Sequence, residues 1–179
     1  MYITEIPAPI LTLAFFLPAG ISNMSPVFAA KLPWLQRLNA PLDFGKSYKG
    51  VRIFGANKTW RGLISGTIAG TLVGIFMSVV FLGGLHTYIF MSAAMSAGAL
   101  VGDAVESFFK RQAGIASGKS WFPFDQTDYI IGGILALVPF SGFFTTPWWF
   151  WVIIFLEYFG LHLLSSYVGY LLGLKDQPI

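Results

Sequence analysis

The chain has 179 residues, of which 55% are hydrophobic, 17% aromatic and only 11% charged, and its mean hydropathy is +0.69. A soluble domain carries about a quarter charged residues, so this composition points to a single polytopic membrane domain over 1–179, with no polar half left to form a second. A net charge of +3 calls for no nucleic-acid partner, and the absence of cysteine excludes disulfides, thiolate metal sites and a cysteine nucleophile.

A helix that crosses the hydrocarbon core needs about 20 mostly apolar residues. Five stretches qualify, roughly 7–29, 62–83, 87–109, 128–145 and 148–172. Helices satisfy their own backbone groups in lipid, so the expected fold is an all-α integral membrane protein with five transmembrane helices. The opening "MYITEIPAPILTLAFF" has no basic region ahead of its apolar run, and a cleaved signal peptide is not expected. The 30–61 segment follows the first span. It mixes apolar, aromatic and basic residues, with Gly45, Gly50 and Gly55 as punctuation, and reads as an interfacial loop or hairpin. Its "GKS" is not a phosphate loop, because Ala40 stands where that motif needs glycine and a Tyr-Lys-Gly turn follows in place of a helix.

The second span carries Gly62, Gly66, Gly70 and Gly74 at i+4 spacing, and the third carries Ala94, Gly98 and Gly102. Such stripes allow close helix approach, and they are expected to lock spans two and three together. A second loop covers 110–127. The fourth span is short and glycine-rich, and the fifth holds Glu157 and His162. Those two are five residues apart, about 140° around a helix, so they do not share a face. His162 reads as structural, while Glu157 reads equally well as structural or functional.

The basic residues orient the chain. Lys31, Arg37, Lys46, Lys49, Arg52, Lys58 and Arg61 lie in 30–61; Lys110, Arg111 and Lys119 lie in 110–127; Lys175 lies in the tail. These are all 11 Lys and Arg of the chain, and the loops near 84–87 and 144–148 have none. The N-terminus is therefore expected outside, with the C-terminus and both basic loops in the cytoplasm. His86 falls on the outer side, as does Glu5.

Four of the eight acids surround the second basic loop: Asp103, Glu106, Asp125 and Asp128. Asp103 and Glu106 are three apart and project from one helix face, with Ser107 beside them. Asp103 lies about 10 Å inside Lys110 at the helical rise. Asp125 could serve as an N-cap, Asp128 as a first-turn acid and Glu106 as an i,i+4 partner of Lys110. Asp103 fits no such plain role, because an unpartnered carboxylate at that depth costs about 2.5–3.5 kcal/mol. Four acids meeting at one membrane face repel unless cations bind between them. An all-oxygen ligand set favours Mg²⁺ or Mn²⁺ over Zn²⁺, and it leaves room for a second, monovalent cation. Asn57, Lys58, Thr59 and Arg61 stand on the same face, with Lys110, Arg111 and Lys119. Hard metal, Lys/Arg and helix N-termini together suit phosphate groups.

"KTWRG" at 58–62 is similar to the KTWEG stretch of phosphatidate cytidylyltransferases. "SFFKR" at 107–111, followed by "DQTD" at 125–128, resembles that superfamily's Ser-x-x-Lys-Arg through Asp-x-x-Asp signature. The bacterial signature differs in a longer loop, a His-Gly-Gly before the first Asp, and Arg where Gln126 stands. The shorter loop "GIASGKSWFPFDQTD", the five spans and "FGANKTWRG" resemble the archaeal branch, the CDP-archaeol synthases, over about 50–128. The resemblance implies attack of an isoprenoid ether glycerol-1-phosphate lipid on CTP, giving CDP-lipid and pyrophosphate. It implies Asp103, Asp125 and Asp128 as metal ligands, with Glu106 in or beside the ligand set. It also implies phosphate contacts from Lys110 and Arg111, and nucleotide or triphosphate contacts from Asn57, Lys58 and Thr59. Arg61, Ser107 and Lys119 join the substrate-facing set, and the partners are CTP, a lipid phosphate and the bilayer. A CTP-dependent polyprenol kinase is the nearest alternative. A CDP-alcohol phosphotransferase lacks its paired-Asp motif here. A cation transporter would need acids at midplane and repeated halves, whereas the sequence has one midplane acid and no internal repeat. Oligomeric state and the residue that selects cytosine have no signal in the sequence.

Overall fold

The computed structural model describes residues 7–82 and 84–173. Glu5, Lys175 and Asp176 lie outside the described residues. In chain order come α1 (Ala8–Ala29), a 3₁₀ helix (Pro33–Leu38), β1 (Ser47–Tyr48) and β2 (Val51–Arg52). They are followed by α2 (Trp60–Phe81), α3 (His86–Gln112), α4 (Phe124–Leu135), α5 (Gly142–Thr145) and α6 (Trp148–Leu171).

Helices α1, α2, α3 and α6 are long and apolar enough to cross a bilayer. The 128–145 stretch differs from the single helix expected of it. Helix α4 has 12 residues, about 18 Å at the helical rise, well short of the roughly 30 Å hydrocarbon core. Pro139 explains the break, since it has no N–H for the Leu135 carbonyl and its ring crowds that carbonyl, where α4 ends. Turns then lead to the four residues of α5.

Helix α2 is inside-out by the standards of a soluble protein. Its buried residues are Gly62, Gly66, Gly70, Gly74 and Ser78, while Ile68, Leu72, Phe76 and Val79 are exposed. Such a surface is stable only against lipid or another apolar partner. The glycine stripe meets two helices. A Cβ at Gly70 would fall 2.1 Å from Ser96 Oγ of α3 and 2.5 Å from the Pro18 carbonyl of α1. The expected lock between α2 and α3 is thus present, with α1 sharing it. The α3 glycines, however, face elsewhere: a Cβ at Gly98 would lie 2.5 Å from the Gly132 carbonyl, and one at Gly102 would lie 2.3 Å from the Asp128 carbonyl. Stripe spacing sets the face of a helix and leaves its partner open, and here α4 takes that face.

Pro18 and Pro26 lie inside α1. Each removes one N–H and frees the carbonyl four residues earlier, which in lipid must find another donor. Tyr88 of α3 donates to the carbonyls of Phe15 at 2.9 Å and Ala14 at 3.4 Å. Tyr158 of α6 donates to Leu13 O at 2.7 Å, and Tyr129 of α4 to Tyr158 O at 2.9 Å. Three buried tyrosines therefore tie α3, α6 and α4 around α1 in a core that also holds Phe16, Met95, Ile130 and Ile154.

The hairpin expected in 30–61 is present and small. β1 and β2 pair antiparallel, Tyr48 opposite Val51. Lys49 at φ 50° and Gly50 at φ 80° form the two-residue connection. Positive φ at both central positions suits the strand twist.

Candidate active site

Two cavities open side by side at the end of the bundle where α3 ends and α2 and α4 begin. The first, about 530 Å³, is lined by Asn57, Lys58, Asp103, Glu106, Ser107, Lys110, Arg111, Lys119 and Asp125. The second, about 560 Å³, lies between α1 and the start of α2 and is lined by Asn23, Pro26, Val27, Thr59, Arg61, Gly62 and Leu100. Asn57, Lys58, Asp103, Asp125 and His162 line both. The two spaces therefore meet at the ion pair of Lys58 with Asp103, 2.6 Å long.

Three carboxylates converge here. Asp103, Glu106 and Asp128 each bring an oxygen within 4.8 Å of the others. The first two share a face because they are three apart on α3. Asp128 joins them because Gly102 lets the α4 backbone close on α3 at Asp128 itself. Glu106 is buried, and its Oε1 accepts no hydrogen bond from the described residues. A buried oxygen without a hydrogen bond, among three mutually repelling acids, is costly, and an all-oxygen set of this kind fits a hard divalent cation.

Asp125 sits differently from its three neighbours. Its carboxylate pairs with Lys110 and accepts from Trp121 N at 2.6 Å. It faces both cavities from outside the convergent triad, and α4 begins at Phe124 with Pro123 as its N-cap residue. Lys110 also lies 3.8 Å from Glu106, the i,i+4 pair the sequence allowed, but Asp125 is its nearer partner. Buried Lys110 thus sits between the acids of α3 and α4.

The remaining residues divide between the cavities. Asn57 Nδ2 donates to Ser117 Oγ at 2.9 Å, joining the two basic loops across the first cavity. Thr59 caps α2, its Oγ1 accepting from Gly62 N at 3.2 Å. Arg61 lines the second cavity alone and donates to Gln36 Oε1 at 3.1 Å. Ser107, Arg111 and Lys119 line the first.

Gln126, His162 and Ser166 also line the first cavity. Gln126 is 2% exposed, and its Oε1 has no hydrogen-bond partner among the described residues. Neutral polar residues on apolar helices carry little sequence signal. His162 lies far from the acids in sequence, and the packing of α6 on α1 and α4 brings it there. Glu157 lines neither cavity and faces Thr12 of α1.

A family model described as CarS-like, CDP-archaeol synthase, matches residues 6–179. A CDP-archaeol synthase of Methanoculleus marisnigri is 36% identical over 149 residues, 77% of this chain and 89% of that protein. One from Methanocaldococcus jannaschii is 35% identical over 179 residues, 92% of this chain and 94% of its own. One from Pyrobaculum aerophilum is 34% identical, covering 94% and 98%. A solved structure described as an intramembrane enzyme for archaeal membrane lipids biosynthesis is similar at TM-score 0.74 and 30% identity, over 86% of this chain and 91% of that one. With four helices of crossing length among the described residues, this is a multi-pass membrane protein. Its sequence, its helical architecture and its site of clustered acids and cations agree: the chain belongs to the CDP-archaeol synthase family.

Proposed function

We propose that this chain transfers CMP from CTP to an isoprenoid ether glycerol-1-phosphate lipid, releasing pyrophosphate. The observation that carries this reading is the meeting of a carboxylate triad and several cations where a polar cavity joins one lined by α1 and α2. Both reactants are polyanions, so neutralising charge and holding phosphates in line are the main catalytic tasks.

Asp103, Glu106 and Asp128 would hold Mg²⁺ or Mn²⁺. A bound divalent ion supplies charge neutralisation at the α-phosphate and at the leaving pyrophosphate. Lys110, Arg111 and Lys119 bind the triphosphate in the first cavity. Lys58 stands at the junction and orients the two phosphates toward each other. Asp125 holds Lys110 in place and completes the acid ring. Asn57 and Ser107 contact the nucleotide, and Arg61 with Thr59 faces the lipid side. The lipid phosphate is already ionised, so no covalent enzyme intermediate is needed. It enters from the second cavity with its chains between helices.

Five crossings suit this arrangement, with α4, the following turns and α5 together forming the fourth. The basic loops then face the cytoplasm, where CTP is found.

The test supplies purified protein in lipid with labelled CTP, Mg²⁺ and, in separate reactions, a geranylgeranyl ether phosphate, a diacyl phosphatidic acid or a polyprenol. Labelled CDP-lipid with the ether substrate alone supports the full reading. Equal use of both keeps the chemistry and withdraws the substrate. Release of CDP, with a polyprenol phosphorylated, would replace the reading with that of a lipid kinase.

A further inference from the structure

Asp43 had no role in the sequence beyond a place in the first basic loop. In the structure it is 4% exposed although Phe44 to Val51 after it are all exposed. Its carboxylate gathers donors from three parts of the loop. Oδ1 accepts from Gly45 N at 2.9 Å. Oδ2 accepts from Phe54 N at 3.0 Å and Gly55 N at 3.1 Å. The Arg52 guanidinium forks across both oxygens. A turn-forming aspartate needs only the local bond to Gly45; the bonds to 52, 54 and 55 reach around the whole hairpin.

What those bonds hold is the segment 54–58. Phe54, Asn57 and Lys58 line the first cavity. The chain just before Asp43 grips the other end of that segment, as Leu42 N donates to Lys58 O at 2.8 Å. Pro41 forms a bridge with Thr59. Residues 54–58 are therefore held at both ends by 41–43, with Asn57 reaching Ser117 and Lys58 reaching Asp103.

We propose that Asp43, clasped by Arg52, is a positioning residue that sets Asn57 and Lys58 over the nucleotide side of the site. This rests on the reading of that site as the CTP cavity. Asp43 touches neither cavity and acts only through the segment it anchors. Asn at 43 would turn an N–H₂ toward donors that need an acceptor, and the segment would lose one of its anchors.

The natural chain has no cysteine, so an introduced pair reports cleanly. Asn57→Cys with Ser117→Cys is treated with a short thiol cross-linker, and free thiol is counted by mass. Adding Asp43→Asn is expected to lower the cross-linked fraction at least threefold. In the chain with Asn57 and Ser117 intact, Asp43→Asn raises the KM for CTP at least tenfold, with a smaller fall in kcat. Unchanged cross-linking, or an unchanged KM for CTP, overturns the proposal. If Asp43→Asn does not fold, Arg52→Lys removes the fork but keeps the charge, and the same two shifts are expected from it. A parent chain that turns over no CTP fails the functional reading alone, and the cross-link yield still decides the clasp.

Discussion

Gly102→Ala tests whether the approach of α3 to α4 builds the acid triad. The added Cβ would lie 2.3 Å from the Asp128 carbonyl oxygen and 3.0 Å from Gly132 Cα, where ordinary contact begins at 3.4 Å. Both neighbours are backbone, so no side chain can swing aside. Helix α4 must back away by about 1 Å, and overpacking of this kind costs about 1–3 kcal/mol. The same displacement carries Asp128 away from Asp103 and Glu106, whose oxygens now lie within 4.8 Å. A shift of about 1 Å in a reacting constellation costs about 100-fold in rate. The assay is CDP-lipid formation with saturating CTP and lipid, alongside a thermal melt in the same detergent. Gly160→Ala is the control, since a Cβ there meets nothing within 4 Å among the described residues. The expected result is a folded Gly102→Ala protein with a lowered melting temperature and a large loss of turnover, beside an unaffected Gly160→Ala. If Gly102→Ala keeps more than half of the wild-type turnover, close packing at this point does not set the geometry of the acids.

Asp103→Asn and Asp128→Asn should each leave a folded protein and lower turnover by more than about 100-fold, since even groups behind metal ligands cost 10–100-fold; near wild-type rates in either would remove it from the ligand set. Glu157→Gln should retain most activity, because Glu157 lines neither cavity; a folded but inactive variant would move it into the catalytic group. Asp43 gives a pH signature. Burial works against its charge, but Arg52 and the amides of Gly45, Phe54 and Gly55 outweigh it and hold its pKa at about 2, below its ordinary 3.8. A lowered folded-state pKa contributes stability above the unfolded value and loses it as pH falls toward 2. The melting-temperature gap between wild type and Asp43→Asn should be full at pH 6 and narrow between about pH 4 and pH 2; a gap independent of pH over that range would show that the carboxylate charge contributes nothing.

The sequence by itself determined the class of this protein and most of its parts. Apolar runs of crossing length survive any packing, because lipid leaves helices few alternatives. The 128–145 stretch is one apolar run in the sequence, and its division into α4 and α5 appears only in the structure. Three-residue spacing placed Asp103 and Glu106 on one face, since periodicity within a helix is local. Tertiary structure alone decided which acid completes the triad. Asp125 and Asp128 carry the same chemistry three residues apart. Lys110 and the Trp121 amide draw Asp125 aside, while Gly102 brings the backbone at Asp128 against α3. The same applies to His162, which reaches the cavities only through α6, and to Asp43, whose donors lie up to twelve residues away. Spacing along a helix sets which way a side chain points; what it points at depends on contacts between segments distant in sequence, and those are settled only when the helices pack.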